Sequence, residues 1–187
     1  MILFLARSVG SVGSQEYLSL IDRFQVELNM RWLILLFLVS GCGTVDTTLC
    51  KQFYKPYPDF VGQRQRTRQN APFIDAMALY NQGDLAQASV QLRKVIDQEP
   101  QNHAARMYLV SALLGTGEPY KAEMHLDFLE RQGGAGFMDQ VDWYNALCWL
   151  CSGQYERAMR QAMKIDQARS HTYKAEAHEL VVLLNDH

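Results

Sequence analysis

The feature that most constrains this chain is a glycine turn that recurs at nearly constant spacing. The glycines are Gly83, Gly117 and Gly153, which are 34 and 36 residues apart. Each ends a stretch with helical periodicity, and an alanine follows five residues later in a second such stretch. A fixed period of about 34 residues is typical of arrays in which helical hairpins stack on one another. The spacing therefore predicts an all-α fold built from helix–turn–helix units.

The composition argues against several functional classes. The chain has 187 residues, of which 48% are hydrophobic, so a folded domain with a real core is expected. A formal net charge of −2 argues against nucleic-acid binding. The spacing of the four cysteines predicts neither a zinc site nor a disulfide framework. Because no Ser/His/Asp set, phosphate loop or carboxylate pair stands out, we expect no enzymatic activity, cofactor, metal or small-molecule substrate.

The N-terminal region has the pattern of a targeting segment. Met30 and Arg31 precede an apolar run, Trp32 to Val39, as at the start of a signal peptide. Eight residues are too few for a bilayer span, which needs roughly 20. Residues 1–29 contain three acidic side chains, which are unusual in a leader. We therefore interpret residues 1–29 as an over-extended reading frame and residues 30–41 as the signal peptide; a genuine extended leader is the alternative.

The apolar run closes with Val39-Ser40-Gly41-Cys42. This sequence resembles the lipobox of bacterial lipoproteins, which has an aliphatic residue, two small residues and a cysteine. The resemblance implies that the Cys42 thiol takes a diacylglyceryl group that anchors the protein. Gly43 stands where aspartate retains lipoproteins of enteric-type bacteria at the inner membrane. The implied location is therefore the outer membrane of a Gram-negative bacterium, facing the periplasm; an ordinary secretory signal with an incidental cysteine is the alternative.

Residues 42–70 are predicted to form a lipid-anchored tether, because prolines and mixed charges break any helical pattern. Fully extended, this stretch could reach about 90 Å. The stretch has more aromatic residues than a linker needs, namely Phe53, Tyr54, Tyr57 and Phe60. They either fold back as a cap on the first helix pair, which we favour, or dock on a partner. Cys50 could pair with Cys148 or Cys151, or remain single.

From residue 71 onwards the pattern becomes specific. In the first repeat a small residue, a large residue and the turn glycine are followed by a small, a large and an apolar residue and then proline. These residues are, in order, Ala76, Leu79, Gly83, Ala88, Leu92, Val95 and Pro100. This resembles the tetratricopeptide repeat, and similar patterns follow over residues 103–136 and 139–170. Tyr173 to Leu184 then reads as one more amphipathic helix. The resemblance implies that residues 71–187 form a tetratricopeptide-repeat solenoid of about three hairpins and a C-terminal capping helix.

In this family the first helix of each hairpin lines a concave groove. Carried over by position, the residues expected to contact a partner are Tyr80, Met107, Tyr108, Trp143 and Tyr144. Phe73, Leu114 and Leu147 are expected to pack between hairpins instead. Aromatic and methionine side chains suit an apolar helix or an extended peptide laid in the groove. The alternative for all of these residues is simple packing between neighbouring hairpins.

The functional expectation is an outer-membrane lipoprotein scaffold that binds an envelope protein and assists assembly of a pilus or secretion complex. The membrane is contacted through the N-terminal lipid. One alternative is a periplasmic thiol-active factor using Cys148 and Cys151, although this pair lies at the wrong end of its helix for a lowered thiol pKa. Another alternative is an adaptor for peptidoglycan or exopolysaccharide machinery. The histidines are expected at surface or capping positions.

Overall fold

A computed structural model describes residues 47–186. Residues 1–29, interpreted above as an over-extended reading frame, residues 30–41, interpreted as a signal peptide, and Cys42 lie outside the described residues. Within the described range the chain is helical, without strands, and its helices are α1 Thr47–Phe53, α2 Ala71–Asn81, α3 Leu85–Gln98, α4 His103–Gly115, α5 Pro119–Arg131, α6 Met138–Cys151, α7 Tyr155–Gln167 and α8 Lys174–Asn185, with a 3₁₀ helix Gly133–Gly136 before α6. The expected all-α class is confirmed.

Consecutive helices from α2 to α8 pack against one another, so the chain forms a series of neighbouring helical pairs. The pairs α2–α3, α4–α5 and α6–α7 are joined by turns of three residues, which force the second helix to run back along the first. The core is continuous through the series and extends from Phe73 in α2 to Leu180 in α8. Within residues 47–186, the structure contains no helix that is both long and apolar enough to span a membrane.

The three glycine turns share one backbone geometry. Gly83, Gly117 and Gly153 have φ angles of 81°, 77° and 76°, in the left-handed region where a side chain is unfavourable. In each turn the N–H after the glycine donates to a carbonyl five residues earlier, which closes the helix C-terminus; these bonds are Asp84 to Leu79, Glu118 to Leu113, and Gln154 to Trp149. Asp84 also accepts a hydrogen bond from the Gln87 N–H at 3.1 Å and thereby caps the N-terminus of α3.

Small residues occupy buried positions on the paired helices. These alanines are completely buried, with 0% exposure, and they are Ala76, Ala88, Ala122, Ala146 and Ala158. A larger side chain at such a position would push the two helices apart. The predicted stripe on α8 is also present, since Ala177 and Leu180 are buried while Val181 and Leu184 are half-buried against the core. As expected, α8 packs on α7 at the end of the array.

The region predicted as a tether differs from the expectation. From Thr47 onwards it is folded: α1 packs against α6, and the residues after α1 lie along the helices rather than away from them. Phe53, Tyr57 and Val61 are 5%, 7% and 3% exposed and belong to the core. The aromatic residues do fold back, as the favoured alternative proposed. However, they contact α4 and α6 as well as α2, so they are not confined to the first helix pair.

Candidate functional site

The first helices of the three hairpins bring four hydroxyl-bearing side chains to one surface. Tyr80 comes from α2, Tyr108 and Ser111 from α4, and Tyr144 from α6. Tyr108 and Ser111 are three residues apart, so they share a face of their helix. We call the surface formed by these four residues the hydroxyl groove. All four are buried, because residues 54–61, which we call the groove segment, lie along it.

The hydroxyl groove holds the groove segment by its main chain. The Tyr144 hydroxyl donates to the carbonyl of Lys55 at 2.9 Å. The Tyr108 hydroxyl donates to the carbonyl of Pro58 at 3.1 Å and accepts the N–H of Phe60 at 2.8 Å. One phenol therefore satisfies two peptide groups, and the contacts do not depend on the identity of the side chains that the segment carries.

Ser111 is the centre of a second set of contacts. Its hydroxyl oxygen accepts the Tyr57 N–H at 2.9 Å and lies 2.7 Å from the Tyr80 hydroxyl oxygen. Tyr80 also donates to the carbonyl of Tyr57 at 3.0 Å, so the network is complete when the Ser111 hydroxyl donates to Tyr80. The Tyr54 hydroxyl donates to the carbonyl of Ser111 at 2.8 Å. Ser111 is 0% exposed, so each of these groups depends on its protein partner.

One side chain of the groove segment is inserted into an aromatic cluster. The Tyr57 ring lies 5.3 Å from the Tyr108 ring and 6.4 Å from both Phe137 and Tyr144, measured between centroids. The last two contacts are edge-to-face, a favourable arrangement for aromatic pairs. Phe60 lies 5.8 Å from Tyr57 but remains 66% exposed. Of these two aromatic side chains, Tyr57 is buried in the groove and Phe60 is left at the surface.

Asp59 lies near the end of the groove segment and fixes the turn that follows it. Its carboxylate accepts the N–H groups of Val61 and Gly62, both at 2.7 Å, and the Asn81 amide at 2.5 Å. Burial opposes the charged form, but these hydrogen bonds outweigh it and hold the pKa of Asp59 below its usual value. Sequence reasoning missed Asp59 and Asn81. An aspartate directly after Pro58 is a local signal for such a turn and could have indicated the first of them.

The groove tyrosines remain protonated over the whole physiological pH range. Burial raises the pKa of Tyr108 to about 12, and burial likewise raises the pKa values of Tyr80 and Tyr144. A phenol that keeps its proton is a permanent hydrogen-bond donor. The hydroxyl groove is therefore suited to holding carbonyl groups, and nothing in its ionisation supports proton transfer or nucleophilic chemistry.

A disulfide fixes the chain that leads into the groove segment. Cys50 in α1 is bonded to Cys151 at the end of α6, 101 positions further along the sequence. The sequence left the pairing of Cys50 open, and the structure selects Cys151. Cys148 has a free, buried thiol whose pKa is raised well above its usual value, first by burial and then by Glu123 and Asp127. A thiol in this state is a poor nucleophile.

The other two predicted groove residues lie elsewhere. Met107 is 0% exposed and belongs to the hydrophobic core. Trp143 is 3% exposed, and its ring stacks on Tyr173 just before α8, with centroids 5.7 Å apart and an angle of 11° between the planes. Tyr80, Tyr108 and Tyr144 are thus brought together on the groove segment, whereas Met107 and Trp143 contribute to packing. Ser111 joins the first three and has the most central position.

Two histidines were expected at surface or capping positions and are more buried than a surface position implies. The His171 side chain is 5% exposed, accepts the Tyr173 N–H, and points its other nitrogen towards Asp139 at 3.8 Å and Asp142 at 4.0 Å. His125 lies 3.1 Å from the Arg106 guanidinium; burial, then this charge and that of a second arginine, lower its pKa to about 4. Among residues 47–186 no group of three or more potential ligands could hold a metal ion.

Comparison of the chain with protein-family models, with curated proteins and with solved structures finds no match.

Proposed function

We propose that this chain is an outer-membrane lipoprotein with tetratricopeptide-type hairpins that binds an envelope protein and assists assembly of a pilus or secretion complex. The observation that carries the proposal is a regular hairpin array whose groove binds the main chain of residues 54–61. Stacked hairpins of this kind bind other chain segments, and their groove geometry suits extended peptides. The shared turn geometry at Gly83, Gly117 and Gly153 supports the tetratricopeptide interpretation.

The disulfide between Cys50 and Cys151 supports a location outside the cytosol, since such bonds persist in oxidising compartments such as the periplasm. A lipid on Cys42 would be joined to Thr47, the first residue of α1, through at most about 18 Å of chain. The anchor would therefore hold the domain close to the membrane, rather than on the 90 Å tether that the sequence alone indicated.

The alternatives receive different support. A thiol-active factor would need a reactive pair at Cys148 and Cys151, yet Cys148 is buried with a raised pKa and Cys151 is bonded to Cys50. An adaptor for peptidoglycan or exopolysaccharide machinery would use the same scaffold and differs only in its partner. The test of function must therefore identify what the exposed surface contacts.

The experiment is photocrosslinking in intact cells from two exposed positions. Phe60 on the groove segment is 66% exposed and Met124 on α5 is 69% exposed, whereas the control position Tyr108 is 1% exposed. We expect a single envelope protein to be captured from Phe60 or Met124, and the capture to be lost when Cys42→Ser removes the anchor. Capture of glycan-linked material would support the adaptor alternative. Labelling of Cys42 with fatty acid but no capture from either position would contradict the scaffold function.

A further inference from the structure

Arg106 in α4 is a buried cation without a carboxylate partner. It is 8% exposed and lies on a different face of α4 from Tyr108, which is two residues further along and belongs to the hydroxyl groove. One terminal nitrogen of its guanidinium donates to the His125 ring and the other to the carbonyl of Pro100, both at 3.1 Å. Its Nε is buried and has no acceptor among the described residues, and none of their carboxylates forms an ion pair with the guanidinium.

The groups around Arg106 do not neutralise its charge. Because arginine cannot accept a hydrogen bond, His125 accepts the N–H at Nδ1 and carries its own proton on Nε2. The charges that act on His125 are those of Arg106, Arg93 and Asp97, of which two are positive and one is negative. The Phe128 ring, 3.8 Å from the guanidinium carbon, attracts a cation but supplies no negative charge. A buried charge normally has a counter-charge, so this position favours a negative group from outside the chain.

An exposed apolar stripe on α5 ends at this cation. Tyr120, Met124 and Phe128 are each four residues apart, so they lie on one side of the helix, with neighbouring side chains about 5–6 Å apart. Tyr120 and Met124 are 63% and 69% exposed, and they are two of the three most exposed large hydrophobic side chains in residues 47–186. Phe128 is half-buried against Arg106. Single exposed apolar residues are ordinary, whereas adjacent ones beside an unpaired cation mark a contact surface. We call these three residues the α5 stripe.

An amphipathic helix with an acidic side chain fits this surface. Side chains four residues apart on a partner helix have the same spacing as the α5 stripe, so its apolar side can pack on Tyr120 and Met124. A carboxylate one turn further along that helix then faces Arg106. Hydrogen bonds between a guanidinium and a carboxylate are charge-assisted and among the strongest in proteins. Such a carboxylate supplies the counter-charge that the described residues lack.

We propose that the α5 stripe, with Arg106 at its end, is the docking surface for an amphipathic helix of the partner protein, and that an aspartate or glutamate of this helix pairs with Arg106. The surface lies outside the hydroxyl groove, so the groove segment stays in place. This deepens the proposed scaffold function, because it names the chemistry of the partner segment and where it binds, and it rests on that function for the existence of a partner.

The test starts from a photoreactive residue at Met124 in intact cells, and mass spectrometry identifies the crosslinked segment. We expect an amphipathic, helix-forming segment with an aspartate or glutamate within one helical turn of the crosslink. This segment is then synthesised, and its affinity for the full chain purified in detergent is measured. Arg106→Met should weaken binding on the order of 30-fold, since the partner's carboxylate is then left unpaired. A peptide with the acidic residue replaced by its amide should bind more weakly to the wild type, but no more weakly to Arg106→Met.

The matched control for Arg106→Met is Arg157→Met. Arg157 also lies over an aromatic ring, with its guanidinium carbon 4.3 Å from the centre of Trp149, but it has an ion-pair partner in Glu123. Arg157→Met should bind the peptide like the wild type. Tyr120→Ser changes only an exposed side chain and should weaken binding by about tenfold without affecting folding. This variant and the amide peptide keep the test decisive even where Arg106→Met does not fold.

Three results would overturn the proposal. One is equal affinity of the acidic peptide and its amide counterpart for the wild-type protein. Another is wild-type affinity in Tyr120→Ser. The third is capture from Phe60 without capture from Met124, since the partner would then lie on the groove segment. Absence of capture from both positions contradicts the scaffold function itself, so the two failures are distinguishable.

Discussion

Ser111 offers the sharpest test of the groove contacts. Ser111→Ala removes the oxygen that accepts the Tyr57 N–H at 2.9 Å and that contacts the Tyr80 hydroxyl at 2.7 Å. Tyr80 keeps its bond to the carbonyl of Tyr57, whereas the Tyr57 N–H loses its acceptor in a buried environment. Leaving one buried donor without a partner costs about 1–3 kcal/mol. We expect the free energy of unfolding to fall by about 2 kcal/mol.

The assay is urea unfolding followed by circular dichroism, with Ser89→Ala as the matched control. Ser89 is also buried in a helix, but its hydroxyl bonds only to the carbonyl of Ala86 in its own helix. Both variants gain the same helix propensity from alanine, so their difference isolates the groove contact. Ser89→Ala should change stability by no more than about 0.5 kcal/mol. Equal losses in the two variants would refute the role given to Ser111.

Further expectations concern the disulfide, one turn and one histidine. Replacing Cys50 or Cys151 with serine should lower the free energy of unfolding in urea by about 4–5 kcal/mol, because the disulfide closes a loop of 101 residues. The control Cys148→Ser keeps the disulfide and should keep its stabilisation. In the same assay, Gly83→Ala should lower the free energy of unfolding by about 1 kcal/mol. The cost comes from the left-handed backbone alone, since nothing lies within 4 Å of the added carbon. Burial lowers the pKa of His125 from 6.5 to about 4. As the pH falls, the unfolded chain therefore takes up a proton on His125 before the folded chain does. The free energy of unfolding should fall between about pH 6.5 and pH 4, by at most about 1.4 kcal/mol per pH unit. Urea titrations at several pH values should show a smaller slope for His125→Gln.

The helical array could be predicted because its signals are local. A glycine with positive φ, such as Gly83, ends one helix, and Asp84 caps the next, all within a few residues. The buried alanines recur at a constant distance from those glycines, so the period itself carries the helix pairing. Helices of 11 to 14 residues then follow from their apolar periodicity.

The occupant of the groove could not be predicted in the same way, because its contacts are distant in sequence. Phe60 is 48 residues from Tyr108, and Lys55 is 89 residues from Tyr144. Locally, prolines and mixed charges are equally typical of a linker. The seven-residue helix α1 is also too short to be stable alone, so it depends on packing and on a disulfide whose partner the sequence left open. His171 was expected at a surface or capping position, and its ring does accept the Tyr173 N–H before α8. Its burial beside Asp139 could not be predicted, because the two residues are far apart in sequence.

The occupied groove also determines which surfaces a partner can reach. Because the groove segment is part of the same chain, its effective concentration at the groove is roughly millimolar, so a free peptide at cellular concentration competes poorly with it. A partner is therefore expected to use exposed side chains such as Phe60, and a probe at buried Tyr108 should stay silent. Crosslinking from Phe60 but not from Tyr108 would place the partner on the outer side of the groove segment. Crosslinking from Tyr108 would show instead that the partner displaces this segment.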